Sequence, residues 1–556
     1  MKPKMQQRNS DLSKIGTITH GSLTEGLKMR VSPNVSVEDL RVGKFVVVDG
    51  VKNQFFSMVT DVTLEASNQE ILQKPPENAQ TLLGQVLAGN QTFATVELKP
   101  MLMLPYLDET EDVSEEILPV KTIPPHFSPS FNALEKEVAR IFGSEQLDPK
   151  FFNIGKPLDM EIPVTLNLER FVERSNGIFG KTGTGKTFLT RIALCGLISR
   201  EKAVNLIFDM HSEYGWAGSS EGGNPVKGLK QIFNDKVVIA SLDPKTTKAK
   251  TPKLDIEVTI SLDELEPEDI ISLGDEIRLN ETALETMNLL RAKFGKNWIE
   301  TLISRCEAES SKEVAGEVGA HNESVAALFR KLKRIQELPF VESKDKADKS
   351  FHEILNKLKS GKSVVLEFGR RSGTLDYLLV SNLLTRKIHK EYVKISESYY
   401  ANPTKNQKPI PLVITIEEAH RFLNPQTAKQ TAFGMIAREM RKYFVTLLVV
   451  DQRPSEIYDE VLSQLGTRIV ALLNDEKDIS AVFSGVSGSS SLRSVLASLD
   501  PKQQAMILGY AVPMPIVVRT RDFDEDFYKD VSSWSSGSGV SFDSDKSLGN
   551  DLDGVF

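Results

Sequence analysis

The sequence predicts an α/β fold: a parallel, doubly wound sheet, preceded by a small β-barrel and interrupted by a helical insertion. Three observations support this. Gly180-Lys181-Thr182-Gly183-Thr184-Gly185-Lys186-Thr187 fills every fixed position of the phosphate-loop pattern G-x-x-x-x-G-K-[ST], between the apolar step Gly177-Ile178-Phe179 and a helix-periodic run through Phe188, Leu189, Ile192, Ala193 and Leu197. Short apolar runs at 204–208, 363–366, 411–416 and 445–450 end in polar residues, as strands do that are covered on both faces and turn their carboxyl ends to one site. Ahead of residue 106, apolar runs recur at short intervals between turn residues, as in a small barrel.

Taken in order, residues 1–105 hold the barrel. Ile15 to Ile18 leads into a turn at Gly21, and strands follow at 45–48, 55–62, 82–87 and 93–98, with turns at Asp49-Gly50 and Gly89-Asn90. No clustered basic and aromatic face marks it, so docking or assembly explains it as well as oligonucleotide binding. Residues 106–128 are rich in proline and acid, a linker composition, because proline denies regular structure and like charges extend the chain. An amphipathic helix at 132–142 opens the first part of the sheet domain, 129–243, in which the strand at 204–208 ends at Asp209. Over 244–350 the apolar spacing becomes helical, as in Ala283, Met287, Leu290 and Val325, Leu328, Leu332. This insertion opens on Lys245, Lys248, Lys250 and Lys253 without an acid, a run that ordinarily forms a solvated face. The sheet resumes over 351–531, and 532–556, dominated by serine, glycine and aspartate, reads as a disordered tail.

The phosphate loop sets the chemistry. Glycines let consecutive backbone N–H groups converge on a phosphate at the positive end of a helix, Lys186 reaches the β- and γ-phosphates of a nucleoside triphosphate, and the Thr187 hydroxyl serves as a Mg²⁺ ligand. The run at 411–416 ends in Glu417-Glu418-Ala419-His420, where Glu417 would support the metal through water and Glu418 would act as general base. Gln452 follows another strand, placed to sense the γ-phosphate or the attacking water. The segment Asp209-Met210-His211-Ser212-Glu213-Tyr214-Gly215 either delivers polar groups to the same face or caps its strand, and spacing does not separate the two. Arg438, Arg441, Arg453 and Arg468 exceed the needs of one nucleotide site; an arginine donated to a neighbouring subunit neutralises charge on the γ-phosphate, and a structural ion pair explains any single one equally well.

Composition narrows the classes. A chain of 556 residues exceeds one core, so several domains are expected. No apolar run approaches the ~20 residues of a membrane-spanning helix, and the first residues carry no apolar segment behind their basic ones, so a cytoplasmic protein is expected, with no membrane partner. The two cysteines, Cys195 and Cys306, exclude a disulfide scaffold and a cysteine-rich zinc site. A formal net charge of −8 requires that any DNA meet locally concentrated positive charge.

The phosphate loop, 209–215, Glu417 to His420, Arg438 to Lys442, Gln452-Arg453-Pro454-Ser455 and Gln464 to Arg468 stand in an order that resembles the HerA family of hexameric DNA translocases, related to FtsK, over nearly the whole chain. The resemblance implies a RecA-like P-loop core with an N-terminal barrel and a helical insertion. It implies a homohexamer that threads double-stranded DNA through a central channel, hydrolyses ATP with Mg²⁺ at subunit interfaces, and partners a NurA-type nuclease in DNA end processing. Some relatives partner other nuclease or NAD-consuming effectors in antiphage defence. By motif, Lys186 and Thr187 match the family's phosphate and magnesium ligands, Glu418 its catalytic glutamate and Gln452 its polar sensor. Arg441 is similar to the trans-acting arginine, with Arg438 the alternative, and Arg174, twelve residues before Lys186, to a second interface arginine. One position departs: Glu417 stands where the family more often has aspartate.

A motor has a competitor of another class, an NTPase switch that regulates a partner effector and never moves DNA. The Glu417-Glu418 pair and the surplus arginines favour the motor, since a switch needs slow hydrolysis and no interface arginine. A nuclease is disfavoured because no carboxylate cluster stands apart from the nucleotide site.

Overall fold

The computed structural model describes residues 14–67, 92–106, 117–219, 225–250, 254–279, 282–342, 350–371, 373–426, 428, 432–486 and 490–535. In the N-terminal domain, β1 (Gly16–Ser22), β2 (Gly26–Val31), β3 (Phe45–Asp49), β4 (Asn53–Ala66), β5 (Thr92–Pro105), β6 (Leu118–Pro119) and β7 (Pro129–Asn132) form one antiparallel sheet in the order β2-β1-β7-β3-β4-β5-β6. A further pairing of β2 with β5 closes six of them into a barrel, which leaves no exposed edge on those strands. Alternate residues such as Ile18, Met29, Val46, Val48, Phe55, Val96 and Leu98 fill its interior.

Two expected boundaries shift. Residues 129–132, assigned above to the sheet domain, are the strand that closes the barrel between β1 and β3. The second half of the expected linker is bound to the barrel as well: β6 pairs with β5, and the Phe127 N–H donates to the Ile18 carbonyl at 2.8 Å. Strands of two and four residues inside a proline-rich stretch carry no readable period, so composition alone misassigned them. Pro100 lies where the β4–β5 register shifts, at a bulge that tolerates its missing donor. The strand expected at 82–87 and linker residues 107–116 lie outside the described residues.

The second domain carries β8 (Phe151–Pro157), β9 (Val164–Asn167), β10 (Asn176–Phe179), β11 (Val204–Asp209), a short pair β12 (Gly218–Ser219) and β13 (Pro225–Val226), then β14 (Val237–Ser241), β15 (Ile256–Glu257), β16 (Ile260–Ser261), β17 (Val341–Glu342), β18 (Ser363–Glu367), β19 (Leu412–Glu417), β20 (Val445–Asp451), β21 (Thr467–Val470), β22 (Gln504–Gly509) and β23 (Ile516–Thr520). Twelve of these make one sheet in the order β15-β14-β18-β11-β19-β20-β10-β21-β22-β23-β8-β9. Neighbours from β15 to β21 are parallel, and the last four strands extend the sheet antiparallel. Strands β11, β19 and β20 are buried at every residue, as the continuous apolar runs required.

The insertion packs helices Thr282–Phe294, Trp298–Ala308, Ser311–Val318 and Asn322–Gln336 around Met287, Leu290, Trp298, Leu302, Val325, Leu328 and Leu332. Arg386, on the long helix Thr374–Ala401, fixes it to the core through a two-pronged contact with the buried Asp269. The lysine run begins with a short helix, Pro244–Lys250, in which Lys248 pairs with Glu257, in keeping with a solvated face. The expected tail begins instead with the end of a helix, Glu525–Ser535, held where Arg200 lies 3.3 Å from the centre of the Trp534 ring. Residues 536–556 lie outside the described residues. No helix among the described residues is long and apolar enough to cross a membrane.

Arg468 proves structural. Its buried guanidinium donates to the carbonyls of Leu462, Val482 and Ser484 at 2.6, 2.6 and 2.7 Å, and burial pulls its pKa down to about 10. Arg468→Met removes a donor from the Val482 and Ser484 carbonyls and leaves that of Leu462 with the Leu465 N–H alone, and should lower stability by roughly 2–4 kcal/mol, read as a drop in the thermal unfolding midpoint; an unchanged midpoint would remove this role.

Candidate nucleotide site

Strand register lines up the polar ends. Glu367 of β18 pairs with Asp209 of β11, Phe208 pairs with Ile416 so that Glu417 of β19 stands beside Asp209, Glu417 pairs with Val450, and Asp451 of β20 pairs with Phe179 of β10, where the phosphate loop begins. Five adjacent parallel strands thus deliver four carboxylates and the loop to one edge of the sheet, where open α/β sheets bind ligands.

The loop is tied to both flanking strands. Gly180 N–H donates to the Asp451 carbonyl at 3.3 Å and Lys181 N–H to that of Leu472 at 3.0 Å. Gly185, with φ of +89°, turns the chain into the helix Lys186–Ser199 with open space where a side chain would stand. A substituted residue there would be strained and would fill the space a phosphate needs. The Thr182 hydroxyl donates to Gln452 Oε1 at 2.5 Å, which brings the expected sensor against the loop. Burial lowers the Lys186 pKa, opposed by Asp451, Glu418, Glu417 and Glu213 around it.

The segment 209–215 has both of the roles left open. Asp209 is fully buried and its carboxylate accepts the backbone N–H groups of Glu213, Tyr214 and Gly215 at 2.8, 2.9 and 3.4 Å; burial raises its pKa. That nest turns the chain so that Glu213 Oε2 accepts the Thr187 hydroxyl at 2.8 Å and the Tyr214 hydroxyl donates to Glu417 Oε1 at 2.7 Å. Arg191 supports the turn by donating to the Glu213 carbonyl. Burial, then the nearby Asp209, pushes the Glu417 pKa up to about 8. Its second oxygen, Oε2, is buried without a hydrogen-bond partner among the described residues. Glu418 follows in the left-handed region at φ +49°, a conformation that turns its half-buried side chain out of the strand line.

Residues 152–388 match the family described as helicase HerA, central domain, and residues 15–118 match the HAS barrel domain. The DNA double-strand break repair helicase HerA of Sulfolobus acidocaldarius is 26% identical over 398 residues, covering 70% of this chain and 72% of that one. Its counterpart in Saccharolobus solfataricus is 27% identical over 410 residues, covering 72% and 74%. Over these segments the chain is similar to the HerA family. Among solved structures, the bacterial conjugative coupling protein TrwB overlays with a TM-score of 0.44 at 14% identity, covering 71% of this chain and 93% of that one.

The arginines divide by place. Arg174 precedes β10 and Arg441 precedes β20, so both stand at the amino ends of strands whose carboxyl ends carry the phosphate loop and Gln452. The seven residues of β20 separate Arg441 from that edge by roughly 20 Å. Arg441 is exposed; Arg174 is half-buried over the Tyr510 ring at 4.5 Å. Arg438 lies on the helix Ala432–Glu439, and its side chain is outside the described ones. Arg453 pairs with Glu456 and, with Arg468, is accounted for structurally. The sequence showed Asp451, Glu213 and Tyr214 without roles, because their partners lie tens to hundreds of residues away; Glu367 and Arg191 gave no signal beyond a strand end and a helix interior.

Glu367 makes the row's electrostatics measurable. Burial, then Asp209, pushes its pKa up to about 7, while the Thr247 hydroxyl at 3.0 Å opposes the shift. An unfolded glutamate titrates near ~4.3, so the native state holds the extra proton and stability falls as pH rises from that value through about 7. Glu367→Gln should unfold at higher temperature than the unchanged protein at pH 8 and lose that advantage at pH 4; an equal difference at both values would contradict the assignment.

Proposed function

We propose that this chain is an ATP-driven motor that forms a homohexameric ring and moves on double-stranded DNA, working with a partner nuclease of the NurA type or another effector. The carrying observation is the separation of parts: the phosphate loop and Glu418 lie on the carboxyl edge of the sheet, while Arg441 and Arg174 lie on the amino edge. One subunit then supplies Lys186, Thr187, Glu418 and Gln452, and its neighbour supplies an arginine, Arg441 in the first instance. The relatives' description as DNA double-strand break repair helicases supports DNA as the track and end processing as the role. A ring sums a few basic loop residues from each subunit into one channel, so backbone contacts can hold DNA despite an acidic chain.

The residues fit Mg²⁺ bound with the nucleotide. Among the described residues no three His, Cys, Asp or Glu side chains are arranged to hold a metal alone, so phosphate oxygens have to complete the shell. Thr187 would offer its hydroxyl after exchanging Glu213, and Glu417 would act through water from its unpartnered Oε2. Bound there, the cation neutralises phosphate charge. Glu418 accepts the proton of the attacking water, Gln452 orients that water or the γ-phosphate, and Lys186 holds the phosphates.

Lys186→Ala should abolish ATP binding, whereas Glu418→Gln should bind ATP normally and lose turnover by about 10²–10⁴-fold, measured by fluorescent-nucleotide titration and phosphate release. Arg441→Ala should give intact rings that bind but barely hydrolyse, and mixing them with Glu418→Gln subunits should restore some activity; no rescue at any ratio refutes donation in trans. Double-stranded DNA should stimulate hydrolysis less as salt rises, and indifference to DNA across the series would leave the switch reading instead.

A further inference from the structure

We propose that His420 is a positioning residue for Glu418, aiming the carboxylate that polarises the attacking water. The proposal rests on the reading of Glu418 as general base and adds the group that orients it. His420 is anchored on Asp451: its main-chain N–H donates to Oδ2 at 2.7 Å, and its ring Nδ1 lies 3.0 Å from the same oxygen and 3.2 Å from Oδ1. Asp451 is rigid in turn. It is buried, it ends β20, its carboxylate accepts the Arg453 N–H at 2.8 Å, and its carbonyl accepts the Gly180 N–H that opens the phosphate loop. An imidazole held at Nδ1 by a buried carboxylate has its orientation and its Nδ1 proton fixed, which dedicates Nε2 to whatever it faces.

Nε2 faces two carboxylates, Glu418 Oε2 at 3.8 Å and Glu456 Oε2 at 4.0 Å. Glu456 is claimed from outside by Arg453. Glu418 has no other side-chain hydrogen bond or ion pair among the described residues, and its left-handed backbone turns it towards this ring. The ring's charged neighbours are acidic on every side: Asp451 from β20, Glu418 on its own turn, and Glu456 from the turn Pro454–Glu456. The Asp451 hydrogen bond, against some burial, raises the His420 pKa above the ordinary imidazole value. A ring whose only purpose was to tie β19 to β20 would be satisfied by Asp451 alone.

The test compares His420→Gln, His420→Ala, Glu418→Gln and the His420→Ala/Glu418→Gln pair in the full chain, by DNA-stimulated ATP turnover, fluorescent-ATP binding and the pH dependence of kcat. His420→Gln and His420→Ala should bind ATP within about threefold of the unchanged protein and hold KM, with kcat down about tenfold or more. The unchanged enzyme should lose kcat as pH rises through the His420 pKa, and His420→Gln should lack that limb. The pair should be no slower than Glu418→Gln alone, since nothing remains to be aimed. The proposal is overturned if His420→Gln keeps kcat within about twofold, if it retains the alkaline limb, if binding and kcat fall together, or if the pair is much slower than Glu418→Gln. Should His420→Ala not fold, His420→Gln decides alone. Normal turnover by Glu418→Gln would instead refute the reading of the base itself, whereas a silent Glu418→Gln beside a fully active His420→Gln refutes only this inference.

Discussion

The register of the parallel strands is the constraint on which the site depends. Because β18, β11, β19, β20 and β10 pair in step, their last residues reach the same height, and that alone brings Glu367, Asp209, Glu417 and Asp451 side by side next to the phosphate loop. Burying several acids in one row is costly, and the fold meets the cost in a different way at each position. Asp209 is wrapped by three backbone N–H groups, Asp451 by two N–H groups and an imidazole, and Glu367 and Glu417 are biased towards their neutral forms. A slip of one residue in any strand would turn its acid to the other face and leave its partners unmatched.

Long-range hydrogen bonds convert that row into a connected site. Tyr214 reaches Glu417 and Glu213 reaches Thr187 from one turn, while Gln452 reaches Thr182 from another. The residues nearest the nucleotide's expected place are therefore held by three strands and two turns, so a change at any one of them passes to the loop through directed contacts rather than through bulk packing.

Much of this was legible in the chain itself. The loop pattern at 180–187, the buried strands at 204–209, 412–417 and 445–451, and the helical insertion each have a period or spacing that physics ties to one structure. What stayed hidden depended on pairing across distance. The closing strand at 129–132 has no signature in a proline-rich segment, the antiparallel extension is built of short strands far apart in sequence, and the duties of Asp209 and Tyr214 exist only once β11 and β19 lie together. Arg468 and Arg453 looked like spare cations because sequence records charge but not the carbonyls and carboxylate that absorb it.

The span of β20 between Arg441 and the phosphate-loop edge has a consequence for symmetry. With Arg441 donated in trans as proposed above, complementary parts on opposite rims meet when copies stack front to back, each turned by the same angle about a common axis. Under that proposal, closure of the head-to-tail chain makes every pocket equivalent, whereas an unclosed arc carries one pocket lacking its donor and one donor lacking its pocket.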